Sequence, residues 1–269
     1  MADRIAIIGA GKMGEALMSG LLRAGRSAAD LTVTTRRPDR ATDIAERYGV
    51  DVVDNATAVK SADTVVIAVK PQDMATLIDE IAEHASSDHL VVSVAAGITT
   101  SFIERRLGAD IPVVRVMSNT PVLVDEAMSA ISAGSHAGEA HLLRAEALLR
   151  SVGRTVRVPE SQQDAVTALS GSGPAYFFYL VEAMTDAGIL LGLPRSVAHD
   201  LIVQTAIGSA VMLRDSGESP QALREAVMSP AGTTIAAIRE MENHKVRAAF
   251  LAALEAARDR SREQASGQE

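Results

Sequence analysis

Six short runs rich in Val, Ile or small apolar residues recur across the first 160 residues, with helix-patterned stretches between them. The runs are 4–8, 31–35, 64–68, 90–94, 113–117 and 128–133. Most of their positions are apolar without alternation, as strands buried on both faces should be. Helical patterns fill the gaps at 13–24, 40–48, 74–84, 101–107 and 139–150. Parallel neighbours need a crossover, and the usual crossover is a helix. This alternation therefore predicts an α/β fold, a doubly wound parallel sheet with helices on both faces.

From about Ser161 the strand pattern stops. Helical patterns follow at 162–169, 174–191, 195–215, 220–228 and 233–257, punctuated by Gly, Pro and Ser. The predicted organisation is a dinucleotide-binding domain over 1–160 and an all-helical domain over 161–269, with the last ten residues, from Arg260, frayed. A chain of 269 residues can build two cores. Aromatics are only 3% and Trp is absent, so Ala, Val, Ile, Leu and Met must fill them, and Met184, Met212 and Met228 are expected in a core or an interface.

The apolar stretch 175–193 is interrupted by Glu182 and Asp186, which argues against a membrane span and for a helix buried in a core or subunit interface. The first strand begins by Arg4, leaving no room for a leader. A net charge of -8 offers no basic field to nucleic acid or anionic lipid. Without cysteine there are no disulfides, thiolate zinc sites or thiol nucleophiles, and no metal is expected. A soluble, cytoplasmic protein is the expectation.

The first run leads into Ile8-Gly9-Ala10-Gly11-Lys12-Met13-Gly14, a G-x-G-x-x-G turn between a strand and a helix. Gly9 permits the tight turn, Gly11 lets a pyrophosphate approach the backbone, and Gly14 allows close helix–strand packing. In this strand–turn–helix context the run predicts a Rossmann-type dinucleotide site; the alternative is a set of plain turn glycines. An NAD site places an acid at the end of the second strand for the ribose 2′-OH. Here Thr34, Thr35, Arg36 and Arg37 occupy that end, while Asp30 precedes the strand. Hydroxyls and guanidiniums suit a 2′-phosphate, so NADP(H) is favoured, with NAD(H) left open as a second; the bland alternative is a solvated loop. Ala68, Val69, Lys70 and Pro71 close the next strand, where Lys70 faces either the cofactor crevice or solvent. Ala95, Ala96 and Gly97 are small enough for a nicotinamide ring to lie against backbone, and Asn119 is either functional or a turn former.

In the helical half, Ser229-Pro-Ala-Gly-Thr-Thr234 runs directly into a helix with Ile235, Ile238 and Met241 on one face. A helix start carries unpaired N–H groups and about half a positive charge, a site for an anion such as a substrate carboxylate. Ser170-Gly-Ser-Gly-Pro174 has the look of a nucleophile turn, yet no strand precedes it and no His stands in a partner motif. Its glycines are expected to break one helix and Pro174 to start the next, with Ser172 lining the substrate pocket.

These blocks, in this order, resemble the pyrroline-5-carboxylate reductase family across nearly the whole chain. The resemblance rests on Gly9–Gly14, Ala68–Pro71, Ala95–Gly97, Arg115–Pro121, Thr167–Tyr176, Gly192–Pro194 and Ser229–Thr234. It implies NAD(P)H-dependent reduction of 1-pyrroline-5-carboxylate to L-proline. It also implies that Ala231, Gly232, Thr233 and Thr234 hold the substrate carboxylate, and that the Thr234 hydroxyl bonds the ring nitrogen. By the same resemblance Asn55 lies near the cofactor ribose, and interlocked homodimers assemble into a larger ring such as a decamer. Three departures stand out. Ser118 replaces a common Pro, Met228 fills a place usually small, and Ala231-Gly232 replaces Gly-Gly. If position 231 needs φ > 0, alanine carries strain there.

The residues that are missing agree with an imine substrate. Carbonyl reduction demands a strong proton donor, usually His or Lys. Residues 161–269 contain one Lys, Lys245, and two His, His199 and His244, none in a motif. An iminium arrives already protonated and needs mainly orientation. The same count weighs against the β-hydroxyacid dehydrogenases, which share the two-domain plan but use a Lys early in the helical domain, because 161–190 has none. A related imine reductase stays close to this reading. A non-catalytic dinucleotide-binding protein explains the fingerprint but not the Ser229–Thr234 turn.

Overall fold

The computed structural model describes residues 3–108 and 110–266. It divides into two compact units: residues up to Ser172 together with those from Ala257 onward, and Gly173–Ala256.

The first unit is built on an eight-stranded sheet. In chain order its elements are β1 (Ile5–Ile8), α1 (Lys12–Arg23), β2 (Leu31–Thr34), α2 (Pro38–Tyr48), β3 (Asp51–Val52), α3 (Asn55–Ser61), β4 (Thr64–Ile67) and α4 (Met74–Ile81). Then come β5 (Leu90–Ser93), α5 (Thr100–Leu107), β6 (Val113–Met117), β7 (Ala127–Ala133), α6 (Glu139–Leu149), β8 (Gly153–Arg157) and α7 (Gln163–Val166). The strand order is β3-β2-β1-β4-β5-β6-β7-β8. Strands β1 to β6 run parallel, as expected; β7 is antiparallel to β6, and β8 pairs parallel with β7. The wholly parallel expectation thus fails at one edge. The return from β6 to β7 is a short 3₁₀ turn over Thr120–Val124, with no crossover helix to reverse the direction again.

Alternation along the strands sends side chains to two separate cores. Ile5, Ile7, Val33, Val66, Val92 and Val114 pack on Leu17, Met18, Leu21, Ile44 and Leu148 from α1, α2 and α6. Ala6, Ile8, Val65, Ile67, Val91 and Val113 pack on Val59, Met74, Ile78, Ile81 and Ile103 from α3, α4 and α5. Both faces are apolar, so the sequence shows continuous apolar runs. Three elements escaped that pattern. β3 has two residues, β8 is a polar edge strand, and α3 buries only Ala58 and Val59.

The second unit holds α8 (Gly173–Leu190), α9 (Arg195–Asp215), α10 (Pro220–Ala226), α11 (Thr233–Asn243) and the first part of α12 (Val246–Ser266). α8 and α9 approach closely, since a Cβ added at Gly188 would lie 2.8 Å from the Ala198 Cβ. The predicted single helix over 233–257 is two helices, broken where Lys245 takes a left-handed φ of 55°. The predicted fraying from Arg260 is also corrected. α12 continues to Ser266, and Ser261 is buried with its hydroxyl donating to Asp164 at 2.7 Å. Residues 267–269 lie outside the described residues.

Within the chain, α8 and α9 leave a broad apolar surface uncovered, including Phe177, Phe178, Tyr179, Leu190, Leu191, Leu201, Ile207 and Met212. α9 is, among the described residues, the one helix long and apolar enough to cross a membrane by length and composition. Met184 and Met212 are likewise exposed on this surface, so in the single chain they fill no core.

Candidate active site

β1 delivers the chain at Gly9 with φ 104°, and any Cβ there would lie 2.9 Å from the Ala68 carbonyl oxygen and the Val69 Cγ1. The N–H groups of Gly9 and Ala10 both donate to the Thr34 carbonyl, at 3.2 and 3.0 Å, which ties the turn to the end of β2. Gly11 is the N-cap of α1, and no side chain caps that helix. The first-turn N–H groups at Lys12, Met13 and Gly14 therefore face outward, as an anion site requires. A Cβ at Gly11 would meet nothing within 4 Å, the open side on which a pyrophosphate can approach. A Cβ at Gly14 would sit 2.1 Å from the Gly9 carbonyl oxygen. The three glycines have three different reasons to be glycine, and the cradle fits a dinucleotide. Sequence reasoning missed one support: Arg40 Nε donates to the Ala10 carbonyl at 3.4 Å, with its other nitrogens held by Glu15 and Asp43.

The residues expected around the adenosine lie at the C-terminal ends of β2 and β4. Thr35 Oγ1 accepts from the Arg37 N–H at 3.3 Å. Arg36 Nη1 and Nη2 donate to the two Asp73 oxygens at 3.2 and 2.8 Å, and Arg37 pairs with Asp39. The Arg37 guanidinium holds the Asp39 carboxyl below the ordinary aspartate range. Asp30 ends a 3₁₀ turn before β2, at the opposite end of the strand. Lys70 is exposed just past β4, N-terminal to a 3₁₀ turn opened by Pro71. Asn55 opens α3, and its Nδ2 donates to both Glu80 oxygens at 3.1 Å, leaving Oδ1 free to accept. Past β5, Ala95 is buried with its N–H on Ser93 Oγ, Ala96 is exposed, and Gly97 turns with φ 74°.

Asn119 is fully engaged: Nδ2 donates to the Ser170 carbonyl at 3.2 Å, and Oδ1 accepts from the Met128 N–H at 3.0 Å. It is a structural tie between β6, β7 and the segment after α7. As expected, the helical run breaks in that segment, at a bend at Ser172, and α8 starts with Gly173-Pro174. Thr167–Gly171 forms a π-helical turn, closed by the Ser172 N–H on the Thr167 carbonyl at 2.8 Å, and α8 follows directly. Gly171 lies against Met117, whose flexible Cε would have to move aside for an added Cβ 2.3 Å away. Ser118 is buried, and its hydroxyl accepts from Ser129 at 2.9 Å, so the serine that departs from the usual proline has a partner. Nearby, buried Arg115 pairs with Glu160, which also accepts from the N–H and hydroxyl of Thr100. Nothing in the hydrophobic pattern flagged that ion pair.

In the second unit, the 229–234 turn closes with the Gly232 N–H on the Ser229 carbonyl at 3.0 Å. Ala231 adopts φ 57°, so alanine does occupy a left-handed position at the place where it departs from the family's glycine. Gly232 then caps α11 in extended geometry, and a Cβ on it would lie 2.2 Å from Ser229 Oγ and 3.1 Å from its carbonyl oxygen. No side chain caps α11, and its first backbone bond runs from the Ala236 N–H to the Gly232 carbonyl at 3.4 Å. The N–H groups of Thr233, Thr234 and Ile235 consequently project from the helix start, with two hydroxyls beside them. Ile235 and Met241 are exposed within the single chain, so the apolar face of α11 is not spent on its own unit.

A glycine cradle at the switch point of a Rossmann-type sheet, followed by a helical region with an uncapped helix start, defines a dinucleotide-dependent oxidoreductase of the two-domain kind. The chain belongs to the pyrroline-5-carboxylate reductase family. Residues 160–264 match the family model described as pyrroline-5-carboxylate reductase dimerisation, and residues 4–97 match that of NADP oxidoreductase coenzyme F420-dependent. A pyrroline-5-carboxylate reductase of Mycobacterium tuberculosis is 48% identical over 96% of this chain and 95% of its own length. The solved pyrroline-5-carboxylate reductase of Coxiella burnetii superposes with a TM-score of 0.94 at 36% identity, covering 98% of this chain and 99% of its own. A pyrroline carboxylate reductase of Plasmodium falciparum, solved with NADP bound, gives 0.87 at 26% identity, covering 98% of each chain.

Proposed function

We propose that the protein reduces 1-pyrroline-5-carboxylate, a cyclic imine bearing a carboxylate, to L-proline with NAD(P)H. The observation that carries this reading is the start of α11, where left-handed Ala231 and capless Gly232 leave N–H groups and two Thr hydroxyls facing outward. Ala231, Gly232, Thr233 and Thr234 hold the substrate carboxylate there, and Ser172 lines the pocket. The Thr234 hydroxyl, able to donate and accept, bonds the ring nitrogen both as iminium and as amine. Because that nitrogen is already protonated, the C=N electron pair can settle on it without a donor as strong as His or Lys. The chain's task is then to fix the ring's orientation, which positioning alone supplies.

The dinucleotide, when bound, supplies the hydride. Ile8 to Gly14 receive its pyrophosphate, Asn55 and the Ala68–Pro71 strand end its ribose and phosphates, and Ala95 and Ala96 its nicotinamide. Thr35, Arg36 and Arg37 favour NADP(H), with NAD(H) as a usable second; the NADP-bound P. falciparum relative supports this choice. Residues 1–160 form the NAD(P)-binding domain and 161–269 the domain of dimerisation and substrate binding. Homodimers assemble into a larger ring such as a decamer, in the cytoplasm.

Steady-state oxidation of NADPH and NADH on adding pyrroline-5-carboxylate tests the reading. Turnover with the imine and none with β-hydroxyacids is expected. A protein that binds the dinucleotide but turns over neither substrate class would refute it.

A further inference from the structure

We propose that Asp73 sets how strongly this protein distinguishes a dinucleotide with a 2′-phosphate from one without, by competing with that phosphate for Arg36. The inference rests on the assignment of Arg36 to the 2′-phosphate made above.

Arg36 follows β2 and Asp73 follows β4, and these strands are the two neighbours of β1. A bond between them therefore spans the C-terminal end of β1, the side on which Gly9–Gly11 emerge and dinucleotides bind in such sheets. The bond is bidentate, with Nη1 and Nη2 each on one carboxylate oxygen. That fork is the face a guanidinium offers to a phosphate. The Arg36 side chain is 82% exposed and that of Asp73 only 28%, so the carboxylate is the more enclosed partner and the guanidinium the one open to a ligand. Arg37 differs: its partner Asp39 lies two residues on, in the first turn of α2, and their pair bridges no separate elements of the sheet.

A 2′-phosphate reaching Arg36 must displace Asp73 or lie beside a like charge. A plain 2′-hydroxyl meets neither penalty. Asp73 thus weakens 2′-phosphate binding selectively and keeps the two dinucleotides closer in affinity than Arg36 alone would. The expected scale is that of an exposed ion pair, about two- to fivefold.

Calorimetric titration of the full-length protein with 2′,5′-ADP and with 5′-AMP tests this. In Asp73→Asn, 2′,5′-ADP is expected to bind about two- to fivefold tighter with 5′-AMP unchanged, and the NADPH:NADH ratio of kcat/KM to rise in step. Asp73→Ala gives the same sign, and Asp73→Glu, which keeps the charge, stays near wild type. Equal changes for both ligands, or no gain for 2′,5′-ADP, would overturn the proposal. Arg36→Gln separates the two levels. If it abolishes the preference for 2′,5′-ADP while Asp73→Asn gains nothing, only the role of Asp73 falls. If the preference survives Arg36→Gln, the assignment of Arg36 falls and the competition with it.

Discussion

Ala231, with φ 57°, is the residue at which the sequence of the turn and its backbone are in tension. A left-handed conformation costs an alanine roughly 1 kcal/mol or somewhat more, and glycine returns part of that through its freer unfolded chain. Ala231→Gly should therefore stabilise the protein by about 0.5 kcal/mol, measured as a higher urea midpoint at unchanged slope. A lower midpoint would mean that the alanine is unstrained. Three residues on, Thr234→Ala removes a hydroxyl from a charged partner, a bond worth about 1.5–3 kcal/mol. Turnover should drop about ten- to a hundredfold, while the Kd for NADPH stays put; unchanged turnover would take this hydroxyl out of the mechanism. The left-handed position was visible beforehand only as a conditional, because spacing and residue type suggest a turn but not its φ.

Among the elements, those whose formation depends on burial were legible and those that depend on neighbours were not. The runs that became β1, β4, β5 and, apart from Arg115, β6 are largely apolar on both faces and read directly as buried strands, whereas β2, Leu-Thr-Val-Thr, is apolar on one. β8, reading Gly-Arg-Thr-Val-Arg, pairs only through β7 at the sheet edge and carries no apolar pattern. α3 had a usable signal that went unread, since Asp54 caps it by accepting from the Thr57 N–H at 2.8 Å. The direction of β7 was equally hidden, because a strand's residues do not record the sense of its partner. The edge so formed is fastened by charge. Arg157 of β8 bonds Glu146 and Glu139 of α6, and the Glu146 carboxyl is held below its ordinary value first by that Arg157 bond, against desolvation. A depressed folded-state pKa gives stability that is present above the unfolded value, about 4.3, and is lost as pH falls through the folded one. Glu146→Gln should flatten the acid side of the stability profile below about pH 5, read by urea unfolding across pH. An unaltered acid limb would show that the pair contributes nothing.

For the molecule as a whole, the helical region reads as half of something. α8 and α9 leave Phe177, Phe178, Tyr179, Leu190 and Leu191 in water, and the matching family model is one of dimerisation. Burying each such side chain is worth about 1.5–3 kcal/mol, so the folded single chain should be far less stable than its assembly. The unfolding midpoint should rise with protein concentration, and Phe178→Asp should yield monomers, by sedimentation, that have lost activity. A fully active monomer would contradict the assembly proposed here. From sequence, the apolar stretch and its two acids excluded one role and left core and interface open. Only the packing of the single chain shows that no core takes these residues.

The most direct measurement is a crystal structure of the protein with L-proline and the oxidised dinucleotide. Its carboxylate oxygens should lie about 2.7–3.2 Å from the backbone nitrogens at the head of α11, around Thr233 and Thr234, with the ring nitrogen on the Thr234 hydroxyl. Proline gripped instead by a cationic side chain, leaving that helix end in water, would contradict the mechanism at its root.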